Sequence, residues 1–191
     1  MADYFPSFLD LRGRACLVVG GGLVAERKAR ALVECGGRVT VVSPLVTAGL
    51  AALVATDRVV HRARKFRRSD LRGCALVIAA TGDSIVDAAV AATARRRRVL
   101  VNVVDRPEQC DFILPSVLRR GELQIAVSTG GRSPALAREI RRRLEGLFDA
   151  SYRDLVARVG AERRRARAAA VTTEDRLRAG ERVVRLALVG R

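Results

Sequence analysis

Histidine and lysine are almost missing from this chain, and their scarcity limits the chemistry available to it. The 191 residues include one histidine, His61, and the 36 basic residues include only two lysines, Lys28 and Lys65. The four cysteines form no C-x-x-C pair and stand at Cys16, Cys35, Cys74 and Cys110. One histidine and four scattered cysteines do not make the ligand set of a structural zinc site, so we predict no metal site.

Long apolar runs are also missing, although 49% of the residues are hydrophobic. No uncharged apolar stretch reaches the roughly 18 residues of a membrane-spanning helix, so we predict no membrane contact. The N-terminal residues 1–6 lack the basic start and the continuous apolar run of a signal peptide. We therefore expect a cytoplasmic location and reduced cysteines. Aromatic residues make up only 4% of the chain, so aliphatic side chains must form the core.

Positive charge is in large excess, with a formal net charge of +16 supplied almost entirely by arginine. The excess is either solvated surface charge that follows genomic base composition or the mark of a polyanionic partner. That partner would be a nucleic acid or a substrate with many carboxylates. A nucleic-acid reader motif is missing and aromatic residues for base stacking are few, so we predict no nucleic-acid partner. The arginine runs at 95–98 and 163–165 are typical of solvated helix faces.

Short apolar runs alternate with segments of helical periodicity over the first 105 residues. The predicted strands are 15–19, 39–42, 59–63, 75–80 and 100–104. The predicted helices run from 23 to 34, from a cap at Thr47 to about 55, and from Asp83 or Ser84 to about 95. This alternation is typical of an α/β fold, with a parallel sheet covered by helices on both faces.

The alternation ends near residue 115. Residues 116–120 and 123–128 flank Gly121 and predict a hairpin. Ser133 and Pro134 form a cap and first-turn pair that opens a helix through Phe148, and the tail from Tyr152 predicts two helices interrupted at 172–175. We therefore divide the chain into residues 1–115, 116–150 and 151–191.

A glycine-rich segment directly follows the first strand and directly precedes the first helix. Gly20, Gly22 and Ala25 fit the pattern G-x-G-x-x-A. The first glycine permits a tight turn, the second lets a pyrophosphate approach the backbone, and the helix N-terminus offers N–H groups to phosphates. We predict that Gly20, Gly22, Leu23 and Val24 contact a dinucleotide. The alternative is a glycine-rich turn without a ligand.

The end of the second strand lacks the acidic residue that usually binds the adenosine ribose of NAD. Ser43, Pro44 and Leu45 stand there instead. The Ser43 hydroxyl is able to bond to a ribose hydroxyl, and no arginine stands in this segment to hold the 2′-phosphate of NADP. The segment is therefore predicted to contact the cofactor, and NAD is favoured over NADP.

Two more strand ends carry candidate site residues. Thr81 and Gly82 follow the fourth strand, and Asn102 and Asp105 belong to the end of the fifth. The carboxyl ends of parallel strands line the ligand crevice of an open α/β sheet. We predict that Thr81 and Gly82 contact the cofactor and that Asp105 faces the nicotinamide. The alternative for Asp105 is a helix cap or a turn residue.

A second loop of small residues leads from the hairpin into the next helix. Ser128, Thr129, Gly130 and Gly131 offer hydroxyls and bare backbone N–H groups next to a helix N-terminus. These groups suit the carboxylates of a substrate. An ordinary strand-to-helix turn is the alternative.

The motifs together resemble the precorrin-2 dehydrogenase/sirohydrochlorin ferrochelatase family, the N-terminal module of siroheme synthase. The matching stretches are F-L-D-L at 8–11, G-G-G-L-V-A-E-R-K-A at 20–29, A-A-T at 79–81, N-V-V-D at 102–105, F-I-L-P-S at 112–116 and A-V-S-T-G-G-R-S-P at 126–134. The resemblance implies an NAD-binding Rossmann domain, a dimerisation region of hairpin and helix, and a small C-terminal helical domain. It also implies a homodimer with a shared active site.

The resemblance further implies NAD-dependent oxidation of precorrin-2 to sirohydrochlorin, with Asp105 as the catalytic residue and with Asn102 and the 128–131 loop at the tetrapyrrole. Some members also insert ferrous iron, and any such activity here is expected to depend on Asp105, because His61 lies well before the crevice motifs. Thr129 replaces a serine that is phosphorylated in some relatives, which puts that regulation in doubt. The chain ends before a methyltransferase module, so we expect the stand-alone form. A nucleic-acid-binding protein and a non-catalytic NAD sensor are the alternatives.

Overall fold

A computed structural model describes residues 4–169 together with residues 172, 174, 178, 181, 182 and 184–186. The chain divides into two units, Met1–Ile113 and Leu114–Arg191. No helix among the described residues is long and apolar enough to span a bilayer.

Five parallel strands form the sheet of the first unit. They are β1 Ala15–Val19, β2 Arg38–Val42, β3 Val59–Arg62, β4 Leu76–Ala79 and β5 Leu100–Val103. Their order in the sheet is β3-β2-β1-β4-β5, and every neighbouring pair is parallel. The predicted parallel α/β sheet is confirmed, and the strand ends differ from the predicted ones by one residue at most.

Three α-helices connect the strands: α1 Leu23–Glu34, α2 Ala48–Ala55 and α3 Ser84–Arg96. The predicted caps hold two of them, because Thr47 accepts the N–H of Leu50 and Asp83 accepts the first N–H groups of α3. Two 3₁₀ turns at Arg68–Leu71 and Pro107–Gln109 were not predicted. Segments this short carry no readable periodicity.

The core consists of two apolar clusters that contain alternate residues of the central strands. Cys16 and Val18 of β1 belong to one cluster, with Ala25 and Ala29 of α1. Leu17 and Val19 belong to the other cluster, with the buried apolar residues of α3. Successive side chains of a strand point to opposite faces, so α1 and α3 cover opposite faces of the sheet. This arrangement is the doubly wound form of the α/β fold.

The second unit departs from the strand–helix alternation as predicted. Strands β6 Ser116–Arg120 and β7 Leu123–Val127 form an antiparallel pair. Helix α4 Pro134–Leu147 begins at Ser133, whose hydroxyl accepts the N–H of Leu136, and α5 spans Tyr152–Ala169. The predicted interruption at 172–175 and the second tail helix lie largely outside the described residues.

A buried carboxylate holds the edge of the sheet beside β3. Asp70 is 6% exposed and accepts hydrogen bonds from Arg64 at 2.6 Å, from Arg62 at 2.8 Å and from the Arg67 N–H at 2.8 Å. The Arg64 guanidinium is the largest cause that lowers the pKa of Asp70 from 3.8 to about 2. The network joins the end of β3 to the 3₁₀ turn that follows it.

We expect Asp70→Asn to lower the free energy of unfolding at neutral pH by about 2 kcal/mol, the equivalent of the pKa depression. A depressed pKa stabilises the fold above the unfolded pKa, so the difference from wild type should shrink as the pH falls from about 4 to about 2. Urea denaturation across this range measures it. Asp10, whose pair with Arg12 is exposed on both sides, is the matched control, because water screens such pairs. Equal effects of Asp70→Asn and Asp10→Asn would contradict this account.

Candidate functional site

The order of the strands places a crevice at the carboxyl edge of the sheet. Strands β1 and β4 are neighbours, but the chain leaves β1 for α1 on one face and leaves β4 for α3 on the other. The two connecting loops therefore diverge at this edge, which is where open α/β sheets bind their ligands. Gly20, Ser43, Thr81 and Asp105 follow four different strands there.

Gly20 sits where only glycine fits. Its φ is +123°, and a Cβ at this position would lie 2.3 Å from the carbonyl oxygen of Ala80. Its own N–H donates to the carbonyl of Val42 at 3.0 Å. The end of β1 is thereby held between the ends of β2 and β4, and the predicted tight turn is present.

Gly21 is equally constrained, although it was not among the predicted site residues. A Cβ there would lie 1.9 Å from the carbonyl oxygen of Leu45 and 2.7 Å from the Ser43 hydroxyl. The N–H of Thr47 also donates to the Gly21 carbonyl at 3.0 Å. The loop after β2 therefore packs directly on the glycine segment. The signal available in the sequence was that Gly21 is itself a glycine, at the middle position that the pattern G-x-G leaves open.

Gly22 differs from its two neighbours because a Cβ there would meet nothing within 4 Å. Its backbone is extended, and among the described residues no side chain caps the N-terminus of α1 that it precedes. The fold does not require a glycine here, whereas a pyrophosphate approaching the first N–H groups of the helix does. Gly22, with Leu23 and Val24 in the first turn, therefore fits a dinucleotide.

A carboxylate in α1 anchors the loop after β2. Glu26 accepts the Thr47 hydroxyl at 2.6 Å and the Arg30 guanidinium at 2.8 Å. The hydrogen bond from Thr47 is the largest cause that lowers the pKa of Glu26, followed by the one from Arg30. Sequence reasoning missed this contact, because the partners Glu26 and Thr47 are 21 positions apart.

Both backbone groups of Ser43 are bonded to strand β3. The N–H of Ser43 donates to the carbonyl of Arg62 at 3.3 Å, and the Ser43 carbonyl lies 2.9 Å from Nε2 of His61. The pairing of β3 with β2 thus brings His61 beside Ser43 although the two residues are 18 positions apart. That His61 has no part in catalysis stays a prediction. The predicted contacts of Ser43, Pro44 and Leu45 with a cofactor stay predictions.

The loop after β4 is held by a second carboxylate. The Thr81 hydroxyl donates to Oδ1 of the buried Asp87 at 2.8 Å, and the Asp83 N–H donates back to the same hydroxyl at 3.0 Å. Gly82 is exposed with a φ of +76°. Thr81 and Gly82 therefore follow the carboxyl end of β4, with the Thr81 hydroxyl bonded within the protein. Their predicted contact with a cofactor stays a prediction.

Apolar side chains stand exposed around the same edge. Leu23 is 78% exposed, Leu45 83% and Ile85 81%, and they follow β1, β2 and β4 respectively. Exposed apolar side chains that lie together mark a binding surface, and these three follow strands whose carboxyl ends lie at one edge of the sheet. Ile85 was not predicted, because the pattern alone assigned it to a helix that packs on the sheet.

Asp105 follows β5 in a left-handed turn. Its φ is +58° and it is exposed, while the preceding Val104 donates its N–H to the Ala79 carbonyl at 3.0 Å. The last bond places this turn beside the end of β4 and hence at the crevice. Asn102 is 8% exposed, and its amide donates to the Phe112 carbonyl at 2.9 Å. Its predicted contact with a substrate stays a prediction.

The loop after the hairpin belongs to the second unit. The Ser128 hydroxyl accepts the N–H of Gly130 at 3.1 Å, and the Thr129 hydroxyl accepts the N–H of Ser133 at 3.0 Å. Gly130 and Gly131 both have positive φ. A hydroxyl that accepts a bond still has a proton to donate, so the loop presents O–H groups ahead of helix α4.

Two family models match this chain. Residues 7–116 match the model described as "Putative NAD(P)-binding", and residues 120–147 match the model described as "Sirohaem biosynthesis protein central". The first match includes both the glycine segment and Asp105.

Relatives and a solved structure agree with these matches. The chain is 47% identical to the siroheme synthase of Thioalkalivibrio sulfidiphilus, over 95% of this chain and 37% of that protein. It is 48% identical to the siroheme synthase of Nitrosomonas eutropha, over 78% of this chain and 32% of that protein. The chain thus spans about a third of the length of these curated relatives. The structure of SirC, precorrin-2 dehydrogenase, superposes with a TM-score of 0.72 and 25% identity, over 96% of this chain and 98% of that one. The family resemblance predicted from the motifs is confirmed.

Substitutions of Gly21 and Gly22 should affect different properties, the first the stability of the fold and the second the binding of the dinucleotide. Gly21→Ala should lower the free energy of unfolding by about 2 kcal/mol or more, because the new methyl group must displace the backbone at Leu45. Gly22→Val should change it by less than about 1 kcal/mol and should abolish dinucleotide binding. Chemical denaturation and calorimetric titration with NAD measure the two effects. A Gly22→Val variant that binds NAD like wild type would rule out this loop as the pyrophosphate site.

Proposed function

Since the chain belongs to the NAD(P)-binding family and continues into the central segment of sirohaem biosynthesis proteins, we propose that it is an NAD-dependent precorrin-2 dehydrogenase. It would oxidise precorrin-2 to sirohydrochlorin in siroheme biosynthesis. The observation that carries the proposal is the likeness to SirC along almost the whole of both chains. The siroheme synthases are much longer, so their full activity is not transferred to this chain.

The cofactor fits the glycine segment described above. The pyrophosphate would lie on the N-terminus of α1 at Gly22, Leu23 and Val24, and the loop at Thr81 and Gly82 would border the nicotinamide half. A bound nicotinamide supplies the acceptor for a hydride. The exposed Leu23, Leu45 and Ile85 side chains would exclude water from the rings of the bound cofactor.

Asp105 is the base that the site offers. Dehydrogenation of precorrin-2 removes a hydride and a proton, and the products are sirohydrochlorin, NADH and that proton. The Asp105 carboxylate is exposed at the carboxyl end of β5, where it would take the proton from the tetrapyrrole. The Ser128, Thr129, Gly130 and Gly131 loop would bind substrate carboxylates through its hydroxyls and N–H groups, and the arginine excess would balance their charge.

Assembly, location and metal insertion remain part of the proposal. Helix α4 exposes Leu136, Ile140 and Leu147 to 51%, 37% and 69%, and a second copy of the chain would cover these side chains in a homodimer. The reaction would take place in the cytoplasm. Insertion of ferrous iron into sirohydrochlorin, as a secondary activity, would use Asp105 and not His61.

We expect Asp105→Asn to lower the rate of precorrin-2 oxidation by about a hundredfold or more, the usual cost of losing a general base. Asparagine tolerates the left-handed turn, so the affinity for NAD should be unchanged. Anaerobic assays with precorrin-2 and NAD, together with an NAD titration, measure both quantities. Asp57 is exposed in a similar left-handed turn before β3, so Asp57→Asn is the control. Near-normal turnover of Asp105→Asn would remove Asp105 from the mechanism.

The cofactor preference follows from the charges beside β2. The segment Ser43 to Leu45 carries no cation, and the neighbouring Arg62 is paired with Asp70 at 2.8 Å. NAD should therefore bind more tightly than NADP by about tenfold or more, or about 1.4 kcal/mol. Leu45→Arg, which adds a cation at an exposed position, should raise the affinity for NADP only. Direct titration with both nucleotides measures the two affinities. Tighter binding of NADP by wild type would overturn the assignment of NAD as the cofactor.

A further inference from the structure

The segment after Asp105 folds back along strand β5, which places residues 110–112 beside residues 101–103. The N–H of Asp111 donates to the Val101 carbonyl at 2.8 Å, and the Asp111 carboxylate accepts the N–H of Val101 at 3.1 Å. The segment that contains Asp105 therefore begins at β5 and returns to hydrogen-bond with the same strand.

Asn102 joins β5 to the returning segment through buried contacts. Its amide group donates to the Phe112 carbonyl at 2.9 Å, and it also lies 3.5 Å from the Cys110 sulfur. The Phe112 side chain packs against the apolar cluster that includes Cys16 and Ala25. Because the Asn102 side chain is almost wholly buried and its donor is in use, its amide is directed into the protein.

Cys110 holds the other side of the turn. Its sulfur accepts the N–H of Val103 at 3.1 Å and lies 3.2 Å from the carbonyl oxygens of both Val103 and Arg106, which share its one S–H proton. Burial is the largest cause that raises the pKa of this thiol, so the S–H donor is retained at neutral pH. The bonds to Val103 and Arg106 enclose Val104 and Asp105 from both ends.

We infer that Asn102 and Cys110 are positioning residues, which together fix the left-handed turn at Asp105, and that Asn102 acts on the reaction through this turn and not by contact with the substrate. The inference rests on the proposed function. An aspartate in a left-handed conformation needs support from its surroundings, and these two side chains supply it from the end of β5 and from the segment that folds back along it. A catalytic group displaced by about 1 Å loses up to about a hundredfold in rate, so loss of either side chain should appear in kcat.

The test compares Asn102→Ala, Cys110→Ala and Cys110→Ser in the full chain. We expect kcat for precorrin-2 oxidation to fall about tenfold or more in both alanine variants, while KM stays within about twofold. Cys110→Ser, which keeps a donor and an acceptor, should recover most of the rate. Amide hydrogen exchange at Val103 should be faster in Cys110→Ala, and this readout does not depend on activity.

Two controls separate positioning from general destabilisation. Thr93 is also buried, and its hydroxyl donates to the Ala89 carbonyl at 2.7 Å within α3. Thr93→Val should therefore lose stability without losing kcat. In an Asp105→Asn background, neither Asn102→Ala nor Cys110→Ala should lower the residual rate further, because both residues act through Asp105.

The outcomes are distinguishable. A raised KM with normal kcat in Asn102→Ala, or a further loss in the Asp105→Asn background, would overturn the inference and leave the proposed function intact. A wild-type chain that binds NAD but leaves precorrin-2 unchanged would overturn both. If Asn102→Ala does not fold, the Cys110→Ala and Cys110→Ser pair decides, and unchanged kcat and Val103 exchange in Cys110→Ala would overturn the inference.

Discussion

The close approach of Gly20 to the Ala80 carbonyl is the contact on which the site depends. It leaves no space for a side chain and holds the end of β1 against the end of β4, where the connecting loops diverge to opposite faces of the sheet. The carbonyl of Ala79 accepts the N–H of Val104, so the end of β4 also locates the turn that carries Asp105. These two backbone contacts at the end of β4 thus place the glycine segment and the proposed base on either side of it.

Two of the three consecutive glycines are required by the fold, and the third is left open to a ligand. Gly20 and Gly21 are required by neighbouring carbonyls at Ala80 and Leu45, whereas Gly22 faces open space at an uncapped helix N-terminus. The same division applies at the end of β5. Asn102 is directed into the protein and Asp105 is exposed, so in the proposed site Asn102 would support the turn and Asp105 would act on the substrate.

Strands and helix starts could be predicted from the sequence wherever the signal lies within a few neighbouring residues. Apolar runs located β1 and β4, and the caps Thr47, Asp83 and Ser133 located helix starts, because a cap bonds within three residues of itself. The bonds of Glu26 to Thr47 and of His61 to Ser43 join residues 21 and 18 positions apart, and no local pattern indicates such pairs. The hydrogen bonds of Cys110 to Val103 and Arg106 were not predicted, because the spacing of cysteines in a sequence indicates only metal ligands or disulfide partners.

In the proposed function the glycine segment binds the NAD that accepts a hydride from the tetrapyrrole, and Asp105 takes the proton. The most direct measurement is the anaerobic stoichiometry of NADH and sirohydrochlorin when the pure chain meets precorrin-2 and NAD. We predict that the two products appear together in equal amounts, at a rate that saturates with both substrates. Sirohydrochlorin that forms without NADH, or precorrin-2 that persists beside NAD-saturated protein, would contradict the account.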